Sequence, residues 1–276
     1  MREKVIEIHD LTKRYGKHRG VEQVSFDVEQ GDIFGFLGPN GAGKSTTIRS
    51  MLGFLKYDGD IRILGMDARK DHEEILRNIG YMPSEALFYP SMKVKDVIRL
   101  AQEMRGLDCR EEAEKLCDRL QVDTGRRINE LSLGNRKKVS IVCAMQHKPS
   151  LFIFDEPTSG LDPLMQNTFF ELIEEYVAAG STCMLSTHVL SEVKRYCKHV
   201  AIMKEGHLVS AGSVSELTHT SSKRVVATID GERKEYLYTK DMNSLIQELS
   251  EKNVTELSIT DPSIEDIFMG YYGEER

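Results

Sequence analysis

The chain contains 276 residues, of which 40% are hydrophobic and 29% are charged, a composition that supports an ordinary folded core and argues against disorder. Its 37 basic and 44 acidic residues leave a net charge of −7, which disfavours broad nucleic-acid binding because a phosphate backbone requires clustered cations. No apolar run approaches the roughly 18 residues of a membrane span, and the first residues lack the apolar centre of a signal peptide. We therefore expect a cytosolic chain that would need a partner for any membrane function.

The N-terminal part has the pattern of strands around one glycine-rich loop. Apolar and polar residues alternate in "KVIEIHDLTKRYG" and again in "VEQVSFDVEQGD", which predicts two half-buried strands of an antiparallel region. The short apolar run "IFGFLG" predicts a third strand that leads directly into the loop. Behind the loop, apolar residues at helical spacing predict a helix over "KSTTIRSMLGFL", and "GDIRILG" follows as another strand.

The pattern changes between about residues 91 and 147, where three amphipathic helices are predicted. They cover "VKDVIRLAQEMRGL", "REEAEKLCDRLQV" and "GNRKKVSIVCAMQH", with no predicted strand between them. We interpret this segment as a helical subdomain inserted into an α/β core.

Strands and helices alternate again after the helical segment. Apolar runs in "SLFIFDEP", "STCMLSTH" and "HVAIMKEG" predict strands, and helices near 163–179 and 189–197 separate them. Such alternation predicts a mainly parallel, helix-covered sheet.

The last part of the chain, from about residue 220 to 276, differs again. A hairpin is predicted to turn near Gly231, followed by a helix at "MNSLIQELSEK" and a strand at "VTELSI". Asp261 and Pro262 are typical of an N-cap and a first helical position, and they predict a final helix that packs onto the rest of the chain. We expect these residues to form a small α/β appendage.

The cysteines show no spacing typical of a metal site. Most of them lie in predicted helices or strands, so we interpret all five as buried, reduced thiols: Cys109, Cys117, Cys143, Cys183 and Cys197.

The glycine-rich loop "GPNGAGKST" fits the pattern G-x-x-x-x-G-K-S/T without a gap. Glycines allow such a loop to wrap closely and point its N–H groups inward, while the following helix dipole favours an anion. Lys44 would reach the β- and γ-phosphates of a nucleotide, and Ser45 would ligate Mg²⁺. A chance glycine-rich turn is the alternative, but the loop lies between an apolar strand and an amphipathic helix, as nucleotide binding requires. The predicted nucleotide-binding residues are Gly38, Pro39, Asn40, Gly41, Ala42, Gly43, Lys44, Ser45 and Thr46.

Two adjacent acids end the apolar strand "LFIFDEP". Four large apolar residues before them predict a fully buried central strand, and α/β sheets place ligands at the carboxyl ends of such strands. Two solvated acids are the alternative. We expect Asp155 to hold the Mg²⁺ water shell and Glu156 to act as a base or polariser toward an attacking water.

His188 ends the following predicted strand in the same manner. A histidine at a strand end is usually structural or exposed, but this one could also reach the γ-phosphate or the attacking water. Spacing alone leaves the two interpretations open.

A second turn, Ser132-Leu133-Gly134-Asn135, also has the character of a phosphate site, because a hydroxyl and a glycine precede a basic helix. A chain that already has one phosphate loop has no evident use for a second on its own nucleotide.

Five motifs in this order resemble the ATP-binding cassette (ABC) ATPases over nearly all of residues 1–215: "GPNGAGKST", "LSLGN", "LFIFDEP", "TSGLD" and "STH". The resemblance implies a P-loop NTPase cassette over 1–219, with an antiparallel N-terminal β region, a mainly parallel sheet and the helical subdomain. It also implies that the chain hydrolyses ATP with Mg²⁺. Three roles follow from it: Tyr15 stacks on adenine, Asp162 lies at a subunit interface, and His188 senses the γ-phosphate.

The resemblance also explains the second phosphate turn. In ABC proteins two cassettes close head-to-tail over two nucleotides, and the signature turn of one contacts the γ-phosphate bound to the other. Ser132 would supply its hydroxyl and Gly134 a backbone N–H, with Asn135 in the same turn. The implied partners are a second cassette, identical or different, and a transmembrane permease at the cytoplasmic face of the membrane.

Two departures from the family pattern stand out. The usual signature is L-S-G-G-Q, whereas this chain has Leu133 for the first glycine and Asn135 for the glutamine, and a leucine there resembles the exporter branch. Family members usually carry glutamine after "GY-x-P", but this chain has Ser84 followed by Glu85. Two interpretations stay open: Glu85 substitutes as a Mg²⁺ ligand, or the metal contact is weaker.

The resemblance implies a motor subunit that drives export of a drug, a peptide or a lipid-linked substrate, and the tail "DPSIEDIFMGYYG" resembles the extension of such exporters. Two alternatives remain open. A degenerate regulatory cassette is suggested by Ser84 and the altered signature, but the intact Glu156 and His188 argue against it. A soluble ABC protein acting on ribosomes or DNA is disfavoured by the acidic charge and by the single cassette.

Overall fold

The computed structural model describes residues 3–16, 18–85, 87–218 and 223–260. It contains two compact units, Met1–Ala211 and Gly212–Arg276. The sequence-based boundary between 219 and 220 falls slightly further along the chain than the division between these units.

The first half of the first unit carries the strands of the N-terminal region and the helix that follows the glycine-rich loop. In chain order its elements are β1 (Lys4–Tyr15), β2 (His18–Glu29), β3 (Ile33–Leu37), α1 (Lys44–Met51), β4 (Asp58–Ile63), β5 (Met66–Asp67), α2 (His72–Asn78) and β6 (Ile79–Met82). The sequence analysis did not predict α2 and β6. They are short, and α2 buries only Ile75, so neither gives a clear periodic pattern.

The helical subdomain and the second half of the core follow. Their elements are α3 (Val94–Glu103), α4 (Arg110–Arg119), a 3₁₀ turn (Ile128–Glu130), α5 (Leu133–Met145), β7 (Leu151–Asp155), α6 (Pro163–Ala178), β8 (Thr182–Thr187), α7 (Leu190–Tyr196), β9 (His199–Lys204) and β10 (His207–Ser213). The three predicted helices of the 91–147 segment are confirmed, and the described residues between them contain no strand beyond one isolated bridge.

Two sheets build this unit. The first has the order β2-β1-β4-β5, and β1 pairs with both neighbours antiparallel, as the alternating patterns predicted. The second has the order β10-β9-β3-β8-β7-β6, with parallel pairing from β9 through to β6. Every residue of β3, β7 and β8 is buried, as expected for central strands covered on both faces.

The register of the parallel sheet brings the ends of its central strands together. Leu37, the last residue of β3, lies opposite Thr187, the last residue of β8, and Asp155 lies opposite Ser186. The loops that leave β3, β7 and β8 therefore start at the same edge of the sheet, where α/β proteins bind their ligands.

All five cysteines are free thiols, and Cys143 is half-buried whereas the other four are buried. The interpretation as reduced, buried residues is confirmed for those four and holds in part for Cys143. Burial raises the pKa of Cys117 to about 11, which keeps this thiol protonated at neutral pH.

The second unit contains α8 (Val214–Thr218), β11 (Lys223–Ile229), β12 (Glu232–Tyr238), α9 (Met242–Ser250) and β13 (Val254–Thr260). Its three strands form an antiparallel sheet in the order β12-β11-β13. Asp230 and Gly231 both have positive φ between β11 and β12, which confirms the predicted hairpin. The predicted final helix with Asp261 and Pro262 lies outside the described residues.

Within the described ranges, no helix combines the length and the apolar character that crossing a membrane requires.

Candidate nucleotide site

The glycine-rich loop joins the end of β3 to the start of α1. Gly41 and Gly43 have φ of +82° and +104°, in the left-handed region that favours glycine. A Cβ at Gly43 would lie 2.6 Å from Cγ1 of Val21, so only glycine fits there. The internal hydrogen bonds of α1 begin with Thr47 N–H donating to Gly43 O (2.9 Å), which leaves the N–H groups at the helix start available to an anion.

A cavity of about 320 Å³ opens beside this loop. It is lined by residues of β1, β2, the loop, the start of α1, the turn after β6 and the turn after β7. Its lining residues are Tyr15, Gly20, Asn40, Gly41, Gly43, Lys44, Ser45, Thr46, Ser84 and Glu156. The structure therefore brings the predicted phosphate loop together with Tyr15 and Glu156, which lie far apart in the sequence.

Lys44 places a positive charge at the inner end of the loop. Its side chain is buried, and its Nζ donates to the carbonyl oxygens of Gly38 (2.6 Å) and Pro39 (3.2 Å). The same Nζ lies 3.1 Å from Oε1 of Glu156. A buried ammonium next to a carboxylate experiences little solvent screening, so this pair is a strong local dipole in the cavity.

Glu156 lies between two charged or polar partners. Its Oε1 contacts Lys44, and its Oε2 lies 2.8 Å from Nδ1 of His188. The Glu156 carboxylate is mostly buried, whereas the His188 ring is half exposed. His188 therefore contacts Glu156 directly, and its role toward a phosphate or a water stays a prediction.

Asp155 is buried at the end of β7 and is held by the neighbouring strand. Ser186 Oγ donates to Asp155 Oδ1 at 2.6 Å and accepts the N–H of Glu156 at 3.1 Å. One serine on β8 therefore orients both acids. The Asp155 carboxylate and the Ser45 hydroxyl are oxygen donors of the kind that Mg²⁺ prefers, so their chemistry fits the expected metal, and their role as its ligands stays a prediction.

Ser84 and Glu85 lie in the turn after β6, beside the cavity. Glu85 is exposed and does not line the cavity, whereas Ser84 does. The turn after β6 directs the first of these two residues, not the second, toward the loop. The role of Glu85 as a Mg²⁺ ligand stays a prediction.

Tyr15 lies at the outer part of the cavity. The residue is 45% exposed and lines the cavity, and Lys13 Nζ lies 5.3 Å from the ring centroid. An exposed aromatic ring in this place is consistent with stacking on a base, which stays a prediction.

The signature turn lies outside this cavity. Ser132 is the N-cap of α5, and its Oγ accepts a hydrogen bond from Asn135 N–H (3.3 Å). Asp162 is the N-cap of α6 in the same way, and its Oδ1 accepts from Met165 N–H at 3.0 Å. The structure thus does not bring Ser132, Gly134, Asn135 or Asp162 to the phosphate loop of their own chain.

The sequence analysis missed Lys137, which lies on α5 and is only 5% exposed. Its Nζ donates to the carbonyl oxygens of Glu156 (2.5 Å) and Ser84 (3.2 Å). Burial lowers the pKa of this ammonium, and the carboxylates of Glu156 and Asp155 oppose that shift. The available signal was its spacing, because Lys137 precedes the buried Ile141 by four residues on one helix face.

A family profile described as "ABC transporter" matches residues 21–159, slightly more than half of the chain. The chain belongs to the ABC transporter family. Curated relatives agree with this assignment. A probable multidrug ABC transporter ATP-binding protein of Escherichia coli is 34% identical over 226 residues, which cover 80% of this chain and 39% of the relative. The bacitracin transport ATP-binding protein of Bacillus licheniformis is 37% identical over 209 residues, which cover 74% of this chain and 68% of the relative.

Solved structures show the same cassette. One described as the ATP binding subunit of an ABC transporter has a TM-score of 0.72 and 32% identity over 77% of this chain and 91% of its own. Another, an ATP-binding cassette in its ADP conformation, has a TM-score of 0.66 and 26% identity over 78% of this chain and 92% of its own. The predicted P-loop ABC fold is thereby confirmed, and the chain is an ATPase cassette of this family. It spans about two fifths of the length of the Escherichia coli relative.

Proposed function

We propose that this ABC cassette is the ATP-hydrolysing motor subunit of a membrane exporter. The observation that carries the proposal is the Glu156 carboxylate held between Lys44 and His188 in the cavity of the phosphate loop. A cassette that only bound nucleotide would have no need for a carboxylate oriented from both sides.

The cavity suggests how the chain's own residues bind the nucleotide. The loop amides and the α1 N-terminus would hold the phosphates, and Lys44 would exchange its carbonyl partners for phosphate oxygens. Tyr15 would stack on the base at the outer part of the cavity. Ser45 and Asp155 would hold Mg²⁺, which when bound neutralises the charge that develops on the phosphates.

Glu156 would then accept the proton of the attacking water. Its backbone is fixed by the two hydrogen bonds to Ser186, and its carboxylate is oriented by Lys44 and His188. Such orientation raises the rate because the base need not search for its position in each turnover. His188, which is half exposed, would contact the γ-phosphate as well.

The signature turn would act on a second cassette. Ser132, Gly134 and Asn135 lie outside the cavity of their own chain, as a turn that contacts a neighbour's nucleotide must. Asp162 would lie at the same subunit interface. ATP would hold the two cassettes together head-to-tail, and hydrolysis would release them.

Transport itself would require a permease, with the cassette at the cytoplasmic face of the membrane. The segment 81–95, which includes the cavity-lining Ser84, would transmit closure to that partner. The names of two relatives suggest the kind of cargo: the bacitracin transport ATP-binding protein described above and a linearmycin resistance ATP-binding protein of Bacillus subtilis. We infer export of a drug, a peptide or a lipid-linked substrate.

ATP turnover by the purified chain tests the proposal, together with gel filtration of Glu156→Gln with and without Mg-ATP. We expect turnover in the wild type and an ATP-dependent dimer of the inactive variant. Glu73→Gln, the same change at an exposed position of α2, is the matched control and should behave as wild type. Wild-type turnover by Glu156→Gln would contradict the assigned role of this carboxylate, and a wild-type chain that stays inactive with its permease would favour a regulatory cassette.

A further inference from the structure

Glu156 has an unusual backbone for a residue that must be placed accurately. Its φ is +52°, in the left-handed region that residues other than glycine rarely adopt. This conformation turns the chain sharply after β7 and directs the Glu156 carbonyl oxygen toward α5, where Lys137 Nζ donates to it. Residues held in such conformations depend on surrounding contacts that fix them.

Lys137 supplies such a contact from a different element. It lies five positions after Ser132, the N-cap of α5, and its Nζ also donates to Ser84 O in the turn after β6. One ammonium therefore joins the signature helix, the turn that lines the cavity, and the backbone of Glu156. No neutral side chain with one donor could satisfy both carbonyl oxygens at once.

We propose that Lys137 is a positioning residue for Glu156. It holds the left-handed backbone of Glu156 and the Ser84 turn in a fixed position relative to α5. The inference rests on the proposed role of Glu156 as the base. Charge-assisted hydrogen bonds to backbone carbonyls are stronger than neutral ones, and burial protects them from competition by water.

Lysine is suited to this position for a structural reason. Its ammonium is compact, carries three donors and ends a flexible stem, so it can reach two carbonyl oxygens that are not coplanar. The planar fork of arginine is bulkier, and the side chain of glutamine is shorter and uncharged. Methionine matches the length of the stem and removes both donors, which makes Lys137→Met the informative change.

The first readout is hydrogen exchange of the full-length chain without nucleotide. In Lys137→Met we expect the amides of residues 156–160 to exchange at least roughly tenfold faster, because the strained turn loses the contact that closes it. In Lys137→Gln, which keeps one donor group, the exchange rate of these amides should lie between those of Lys137→Met and the wild type. Unchanged exchange in 156–160 would overturn the proposal.

The second readout is ATP turnover beside nucleotide binding. We expect kcat of Lys137→Met to fall by roughly 10- to 100-fold, because small misplacements of a base cost rates of this size. The Kd for a fluorescent ATP analogue should stay within about twofold, since Lys137 does not line the cavity. Equal losses in kcat and affinity would contradict a positioning role.

Gln146→Met is the matched structural control. Gln146 is the C-cap of the same helix and is buried. Its Oε1 accepts a hydrogen bond from Gln102 Nε2, and its Nε2 donates to Ile98 O. Its substitution should lower Tm by an amount similar to Lys137→Met but leave kcat and the exchange of 156–160 unchanged. If both variants lose kcat in proportion to Tm, Lys137 is only structural.

The same series separates this inference from the proposed function. If Glu156→Gln is inactive while Lys137→Met keeps wild-type turnover and exchange, the inference on Lys137 is wrong and the assignment of Glu156 as the base stands. If Glu156→Gln is active, the assignment of Glu156 as the base is wrong. The hydrogen exchange of Lys137→Met then still decides whether Lys137 fixes the turn. If Lys137→Met does not fold, the comparison of Lys137→Gln with Gln146→Met decides the question.

Discussion

Gly134 lies so close to Gly160 that a Cβ at position 134 would be 2.5 Å from the Gly160 carbonyl oxygen. The signature turn and the loop that leads to Asp162 are therefore in backbone contact, and Leu133 Cδ2 would lie 3.5 Å from a Cβ at position 160. Two segments that the family resemblance assigns to the same subunit interface are thus already joined within one chain.

We expect Gly134→Ala to disturb both segments. The added methyl group must displace backbone, which costs about 1 to 3 kcal/mol in a packed region and exceeds the gain in helix propensity. Urea unfolding should show this loss, and the ATP-dependent dimer of the Glu156→Gln variant should weaken. Gly125→Ala is the control, because its Cβ would meet only the Asp123 side chain at 3.4 Å. Equal stability of the two variants would contradict the steric argument.

A second prediction concerns His188. Its replacement by alanine removes the 2.8 Å contact that orients the Glu156 carboxylate. We expect kcat to fall by roughly 100-fold, the size typical of a lost acid–base or orienting partner. Binding of ATP should change little, because Lys44 and the loop remain. The measurement is steady-state turnover beside equilibrium binding, and an unchanged kcat would show that the contact has no catalytic role.

Tyr15 gives a third prediction, on affinity and not on rate. Stacking of an aromatic ring on a base is worth about 1 kcal/mol or more, so Tyr15→Leu should weaken ATP binding roughly fivefold to tenfold. Tyr15→Phe keeps the ring and should bind as the wild type does. Titration with a fluorescent ATP analogue distinguishes the two, and equal affinities of Leu and Phe variants would exclude stacking.

A pH prediction follows from His147. Burial and the charge of Arg105 lower the pKa of His147 from 6.5 to about 4, and its Nε2 lies 3.1 Å from Ile79 O. The unfolded chain therefore takes up this proton at higher pH than the folded chain does. The corresponding stability is complete above about pH 6.5 and declines as the pH falls toward 4.

The unfolding free energy should change by about 2 kcal/mol across this pH range. This is less than the full pKa shift implies, because the ring is partly exposed and solvent screens it. His147→Gln should flatten the dependence of the unfolding free energy on pH across that window. His72→Gln, at an exposed position, should leave the dependence as it is. Denaturant unfolding at several pH values measures both, and an unchanged slope in His147→Gln would contradict the assignment.

The parts of the site that could be predicted are those formed by short contiguous stretches of the sequence. The loop around Lys44 and the apolar strand before Asp155 each have a recognisable local sequence pattern. These patterns predict that the loop and the Asp155 carboxylate lie at the ends of central strands. Local patterns also predicted the helices of the 91–147 segment and the hairpin at Gly231.

The contacts that complete the site could not be predicted in the same way. The ion pair of Lys44 with Glu156 and the bonds of Lys137 depend on strand order and on the positive φ of Glu156, and neither leaves a periodic signal. Glu85 was assigned by its charge, whereas the direction of the turn after β6 brought Ser84 to the cavity instead.

The pairing of β7 with β8 has a consequence for how this protein tolerates changes in length. Asp155 and Ser186 are opposite each other, and every residue of both strands is buried. Deleting one residue from β7 would send each following side chain to the other face of the sheet and separate both acids from their serine. Residues 123–126 are exposed and lie outside both strands, so a change of length there does not shift a strand register. We therefore expect insertions and deletions to be accepted in those loops and rejected in the central strands.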